Sequence, residues 1–455
     1  MILRPLLQAT AIVGALALVP VTTSAMAQVD TGTYRELDTF MTVYNRVKAS
    51  YVDKVDDKTL VKGAIDGMLA ALDPHSSFET GLDFDNMRIA TDGNYGGLGL
   101  SVSMEDGAVK VIAPQEDTPA ARAGIKAGDY ITHIDGQLLY GSTLDEAITQ
   151  MRGKPGTKIT LTIVRPGRDK PLDVTLTREV IVQKPVKWEV KGDVGIININ
   201  TFSATTGAGV RDAIASIDKA LGHKPIGYVI DLRDNGGGLL TQAIEVSDTF
   251  LTHGEIVSQR GREADDNAAY FADQSGDDRG RTVVKGDLTG GLPLIVLVDA
   301  GTASASEIVA GALQDQHRAL IMGVRSFGKG SVQTLIPIGQ DQALRLTTAR
   351  YYTPSGRSVQ EGGIEPDLFV PQLSDPDYKI RPVFREDDLR RHLINTAKVD
   401  NRALEDDTKT DPRLSASAAD LEKAGIKDFQ LDYAVKTLAR LAPPKPGGAV
   451  AARSR

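Results

Sequence analysis

The sequence predicts a multidomain α/β protein, with a helical N-terminal segment, a strand-rich module, an α/β core and a mostly helical C-terminal segment. Three observations predict it. Apolar residues recur at helical spacing within residues 30–90. Short β-branched runs alternate with Gly and Pro turns across 95–182. Apolar strands then alternate with helical stretches across 190–372, the pattern of a sheet flanked by helices. The 455 residues suit about three domains of roughly 150 residues. Apolar residues make up 41% and charged ones 25%, which suits a buried core.

Residues 1–27 read as a leader. Arg4 supplies the positive start, Leu6 to Val21 is mostly apolar, and Ala25-Met26-Ala27 is a small-x-small cleavage site ahead of Gln28. The expectation is a secretory signal peptide; an uncleaved membrane anchor is the alternative. The chain has no cysteine, which excludes a thiol nucleophile and a Cys-based zinc site. Its net charge of −8 and lack of a long basic run argue against nucleic acid as a partner.

Residues 28–92 form the N-terminal helical segment. Leu60, Val61, Ala64, Ile65, Met68, Leu69 and Leu72 share a helix face, with Asp56 or Asp57 as the cap and Asp73-Pro74 as the stop. A preceding helix lies between Tyr34 and Tyr51. Two such helices hold too little apolar volume for a core of their own, so they are expected to pack on another domain or a second subunit. In the module 95–182, strands are expected at Leu98–Met104, Ala108–Ala113, Tyr130–Ile134, Lys158–Val164 and Leu172–Leu176. A helix is expected at Leu144–Met151, capped by Ser142 or Thr143.

In the core 190–372, strands are expected at Val194–Ile199, Gly227–Leu232, Ile256–Gln259, Leu294–Val298, Ala319–Gly323, Val332–Pro337 and Leu344–Tyr352. Helices are expected at Gly209–Leu221, Leu240–Leu251 and Ala305–Gln314. Residues 262–290 read as an irregular loop. Residues 373–442 are polar, with a helix within Leu421–Leu441, and the tail 443–455 lacks the means to pack.

The chemistry concentrates in three glycine-rich corners. In GTASASEI (301–308) a serine sits where a strand passes into a helix, a corner that presents its hydroxyl outward. Spacing alone does not choose between Ser304 and Ser306, and either also suits a plain N-cap. In SFGKGSVQ (326–333), Lys329 lies between two glycines among apolar neighbours, where desolvation favours the neutral amine. A neutral lysine can take the proton from a serine hydroxyl. In DLRDNGGG (231–238), three glycines turn backbone N–H groups towards whatever approaches, as an oxyanion site requires.

Competing motifs fail on detail. Gly323 to Lys329 reads as a phosphate-binding loop, but Gly330 stands where a magnesium-binding Ser or Thr belongs. Ser326 to Lys329 reads S-x-x-K, yet its glycines oppose the helix that motif opens. The six histidines lie outside the glycine-rich corners, and H-E-x-x-H is absent. In the strand-rich module, Gly97, Leu98 and Gly99 form a loop ahead of a strand that can cup a carboxylate, with a strand edge beside it for an added peptide.

On LDPHSSF (72–78), the strand-rich module, DLRDNGGG, GTASASEI and SFGKGSVQ, in this order, the chain resembles the carboxyl-terminal processing peptidases, the tail-specific serine proteases. The resemblance covers nearly the whole chain after the leader. It implies that the module 95–182 is PDZ-like and that 190–372 is the protease core. It implies a Ser304 nucleophile, a Lys329 base supported by Gln333, and oxyanion donors at Ala305 and at Gly237 or Gly238. It implies tail binding at Gly97, Leu98 and Gly99, and neither metal nor cofactor. The expected function is serine endopeptidase cleavage of envelope polypeptides near their C-termini in the periplasm. A catalytically silent PDZ scaffold is the alternative. A homo-oligomer is expected; membrane association and an adaptor or activator protein stay open.

Overall fold

The computed structural model describes residues 31–105, 107–273, 282–380, 382–395 and 414–441. Residues 1–27, expected to be a leader with its cleavage site, and the expected unpacked tail 443–455 lie outside the described residues. The chain divides into two compact units, Met1–Ile65 and Asp66–Arg455.

In the first unit, a helix at Thr31–Ser50 is followed by the start of a second at Asp57–Ala70. Asp56 caps the second helix, accepting Thr59 N–H at 2.9 Å and Thr59 Oγ1 at 2.7 Å. Asp57 ties the pair together by accepting from Tyr44 OH at 2.7 Å and pairing with Lys48. Leu37, Phe40, Met41 and Val43 stay exposed, because two helices alone cannot enclose an apolar face.

In the second unit, the strand-rich module hangs on a two-stranded stem. Asn94–Gly97 pairs antiparallel with Glu179–Val182, so the chain enters and leaves at one place. Between them runs an antiparallel sheet in the order Leu100–Glu105, Ala108–Pro114, Tyr130–Ile134, Lys158–Val164, Leu172–Thr177. Alternation sets its inner face: Ile159, Leu161 and Ile163 point into a core with Val109, Val111 and Ile131. The helix Leu144–Met151 starts at Thr143. Its Oγ1 accepts Glu146 N–H at 3.2 Å, while Glu146 accepts Thr143 N–H at 2.8 Å.

The core contains a six-stranded sheet in the order Val186–Lys191, Val194–Ile199, Gly227–Asp231, Leu294–Val298, Leu320–Gly323, Leu368–Phe369, parallel after the first pair. The central strands Gly227–Asp231 and Leu294–Val298 are buried along their whole length, as helix-covered parallel strands are. Helices Thr206–Leu221, Leu240–Asp248 and Ala305–Asp315 cover one face. Leu421, Phe429, Leu431, Ala434 and Leu438 cover the other, so the C-terminal helices Ala418–Lys423 and Phe429–Leu441 complete the core.

Three expectations change. Residues 30–90 are not wholly helical: Ser77–Thr80 is a strand, held by pairing with Gln342–Tyr352 from a distant part of the chain. The strands Glu255–Gly261, Ser331–Pro337 and Gln342–Tyr352 belong to a separate antiparallel sheet, not to the buried central one. Residues 262–290 include a strand at Ala268–Phe271, which lengthens that second sheet.

Candidate active site

The strand Leu294–Val298 runs into the turn 299–303, and the helix Ala305–Asp315 starts straight after Ser304. Ser304 has φ 55° and ψ −114°. An ordinary N-cap residue is extended, so this serine sits on a strained strand-to-helix corner that pushes its side chain outward. Ser306 is fully buried and donates to Asn235 O at 2.9 Å. Ser326 is also fully buried; its hydroxyl donates to Glu307 Oε1 at 2.5 Å and accepts Ile364 N–H at 2.6 Å. Of these three serines, Ser304 is the one that lines a cavity of about 410 Å³.

Lys329, Gln333, Ala305, Gly237 and Gly238 line the same cavity, together with Leu240, Ile308, Arg345 and Tyr351. The structure thus gathers all six residues expected at the catalytic corner. Burial, chiefly, pushes the Lys329 amine below the usual lysine range, and Arg345 pushes the same way; Glu386, Glu307 and Asp73 pull back. Gln333 Nε2 donates to Ser331 Oγ at 3.0 Å and Thr347 Oγ1 at 3.2 Å.

The glycine turn is pinned by Asn235. Its Nδ2 donates to Ile199 O at 2.6 Å, and its carbonyl accepts Ala303 N–H at 3.0 Å. Its Oδ1 accepts Gly237 N–H at 2.9 Å, so that donor is already committed. A Cβ on Gly237 would lie 2.9 Å from both Ser304 Cβ and Ala305 N, which explains the glycine.

The residue that sequence reading missed is Glu307. It is fully buried, and its carboxylate accepts Ser304 N–H at 2.7 Å, Lys329 N–H at 3.0 Å and Gly328 N–H at 2.7 Å, besides Ser326 Oγ. Burial pushes its pKa up to about 7 against the pull of those donors. In sequence, S-x-x-E signals only a capping box. The same bonds dispose of the phosphate-loop reading. The N–H groups of Gly328 and Lys329 point at Glu307, and that of Gly330 donates to Gln360 Oε1 at 2.9 Å. Their acceptors are the protein's own.

In the strand-rich module, Gly97, Leu98 and Gly99 line a groove of about 190 Å³. Ile148 and Met151 form its helical wall, and the Arg152 guanidinium stacks over the Tyr95 ring at 5.3 Å. The helix expected at Leu144–Met151 supplies that wall.

The profile of peptidase family S41 matches residues 193–370, and that of the PDZ domain matches 96–176. The profile of the activating protease CtpB N-terminal domain matches 17–80. A carboxy-terminal-processing protease of Bartonella bacilliformis is 47% identical over 408 residues, 89% of each chain. The chain belongs to the carboxy-terminal-processing proteases of peptidase family S41. The carboxy-terminal processing protease CtpB of Bacillus subtilis is 34% identical over 78% of this chain and 71% of its own. Among solved structures, the photosystem II D1 C-terminal processing protease is 28% identical, covering 74% of this chain and 93% of its own, with a TM-score of 0.40. The protein is therefore a serine-type peptidase carrying a PDZ domain, a combination suited to binding peptide substrates.

Proposed function

We propose that this protease is an exported endopeptidase that cleaves envelope polypeptides near their C-termini, using a Ser304/Lys329 dyad. The observation that carries the reading is that Ser304 and Lys329 line one cavity while both hang, by their backbone N–H groups, from Glu307. Neutral Lys329 takes the Ser304 hydroxyl proton, and Oγ attacks the scissile carbonyl. The oxyanion rests on the N–H groups of Ala305 and Gly238; the commitment of Gly237 N–H to Asn235 favours Gly238. Each donor lowers the barrier by about 3 kcal/mol. The lysine then protonates the leaving amine and, neutral again, takes a proton from the water that attacks and clears the acyl-enzyme, Ser304 recovering its hydroxyl proton from the lysine. Gln333 lines the same cavity as the base and helps to orient it.

The PDZ groove at Gly97–Gly99 takes the substrate tail as an added strand, with its carboxylate on the glycine loop and apolar side chains against Ile148 and Met151. The leader 1–27 supports export to the periplasm, with cleavage or retention as an anchor. The exposed apolar face of Thr31–Ser50 supports self-association or an activator contact. Incubation with an unstructured peptide ending in apolar residues, read by mass spectrometry, tests the reading. Cleavage by the wild type but not by Ser304→Ala or Lys329→Ala is expected. A peptide bound but left intact by the wild type would identify a silent scaffold.

A further inference from the structure

LDPHSSF, the motif the chemistry leaves unused, forms a tight polar turn against the lysine side of the active site. Asp73 is almost fully buried. Its Oδ1 accepts the N–H groups of His75 and Ser76 at 2.8 and 2.9 Å, and its Oδ2 accepts Ser76 Oγ at 2.8 Å. Two routes lead from this turn. On one, Asp73 Oδ1 accepts Thr347 Oγ1 at 3.1 Å, and Thr347 Oγ1 accepts Gln333 Nε2 at 3.2 Å. On the other, His75 Nε2 meets both oxygens of the buried Glu386 at 3.0 and 2.8 Å. Glu386 Oε1 also accepts Gln360 Nε2 at 3.0 Å, and Gln360 Oε1 accepts Gly330 N–H at 2.9 Å. The backbone N–H of Glu386 donates to Phe327 O at 3.2 Å.

We infer that the turn Asp73–Ser76 is a positioning element for the active-site lysine: Asp73 sets Gln333 through Thr347, and His75 sets the Lys329 loop through Glu386 and Gln360. The inference rests on the dyad reading above. Both routes end on residues flanking Lys329, one position and four positions after it. Burying charged groups costs free energy that apolar packing would not, so the turn's contribution is direction rather than stability. An error of about 1 Å in a reacting group costs on the order of 100-fold in rate.

The turn also sets the field at the amine. The charged groups facing Lys329 are Glu307 from the nucleophile helix, Glu386 from the C-terminal segment, Asp73 from the turn and Arg345 from the strand Gln342–Tyr352. Asp73→Asn removes a negative charge and favours the neutral amine. His75→Ala strips Glu386 of a hydrogen-bond donor and loosens the route to the Lys329 loop.

The test measures kcat, KM and the pH–rate profile of the full chain on one peptide that the wild type cleaves, with Lys329→Ala as control. The expected result is a fall in kcat of about tenfold in both variants, with KM within about twofold. The acid limb should move to lower pH in Asp73→Asn. Should His75→Ala not fold, His75→Gln, which keeps a donor near Glu386, should show partial rescue of kcat. If both variants keep wild-type kcat and acid limb while Lys329→Ala is inactive, the inference fails and the dyad stands. A lower kcat with an unmoved acid limb in Asp73→Asn marks a merely structural turn and also overturns it. Activity in Lys329→Ala overturns the dyad itself.

Discussion

Ser304 and Lys329 donate their backbone N–H groups to the same carboxylate oxygen, Glu307 Oε2, at 2.7 and 3.0 Å. The nucleophile corner and the lysine loop come from different parts of the core, and one buried acid sets their spacing. Glu307→Gln keeps the volume but turns an amide donor towards groups that are themselves donors. We expect kcat to fall by about 10- to 100-fold with the fold retained. Steady-state kinetics and circular dichroism check this; unchanged kcat would remove Glu307 from the site.

The corner at Ser304 stores backbone strain. Its φ of 55° and ψ of −114° suit glycine and penalise an L side chain. Ser304→Gly and Ser304→Ala should both be inactive. The glycine variant should be more stable than the alanine variant by about 1 kcal/mol or more. Equal thermal midpoints would mean that the corner is relaxed.

Lys329 titrates below the usual lysine range because it is buried. Activity should therefore fall as the pH drops through its folded-state pKa and the amine charges. The sign for stability is opposite to that of a stabilising ion pair. With the folded pKa below the unfolded value of about 10.4, the unfolded chain binds the proton more readily. This penalty is largest at low pH and fades as the pH approaches the unfolded value. Lys329→Met should be inactive yet melt higher than the wild type at pH 7, with the gain shrinking towards pH ~10. A lower melting point at pH 7 would show the amine to be comfortably charged.

Arg233 fastens the C-terminal helices to the core, donating to Asp231 at 2.6 Å and to Asp428 at 2.7 Å. Burial would raise the Asp428 carboxyl, but Arg233 overrides it and holds the pKa at about 2. A depressed carboxylate stabilises above its unfolded pKa of about 3.9, and that contribution is lost as the pH falls through the folded value. Asp428→Asn should lower stability by about 2 kcal/mol at pH 7. In urea denaturation the difference from wild type should close between pH 4 and pH ~2. A difference that persists at the acid end would assign the effect to packing.

Ile148 stands on the helical wall of the PDZ groove. Ile148→Glu places a charge where an apolar tail residue would lie and should weaken binding of a peptide with an apolar C-terminus by more than about tenfold. Fluorescence anisotropy with the inactive Ser304→Ala chain isolates this step. Undiminished binding would move the tail site elsewhere.

Most of the core was legible because its signals are local. Continuous apolar runs marked Gly227–Asp231 and Leu294–Val298, and glycine-rich corners marked the turns that follow. The edge strand Ser77–Thr80 was not legible: four residues carry no periodicity, and its pairing partner Gln342–Tyr352 is remote in sequence. The same holds for the Arg233–Asp428 pair. Glu307 was hidden in another way, since a capping residue and a buried clamp are spelled alike.

What the amino-acid order determined by itself was the kind of elements, the turns between them, and a serine and a lysine in glycine-rich corners. Only the folded chain decided that Ser304, rather than Ser306 or Ser326, lines the cavity, and that Gly237 N–H is spent on Asn235. The reason is physical. Turn and helix preferences act over a few neighbouring residues, whereas burial and the commitment of a hydrogen-bonding group depend on which distant segments close around it.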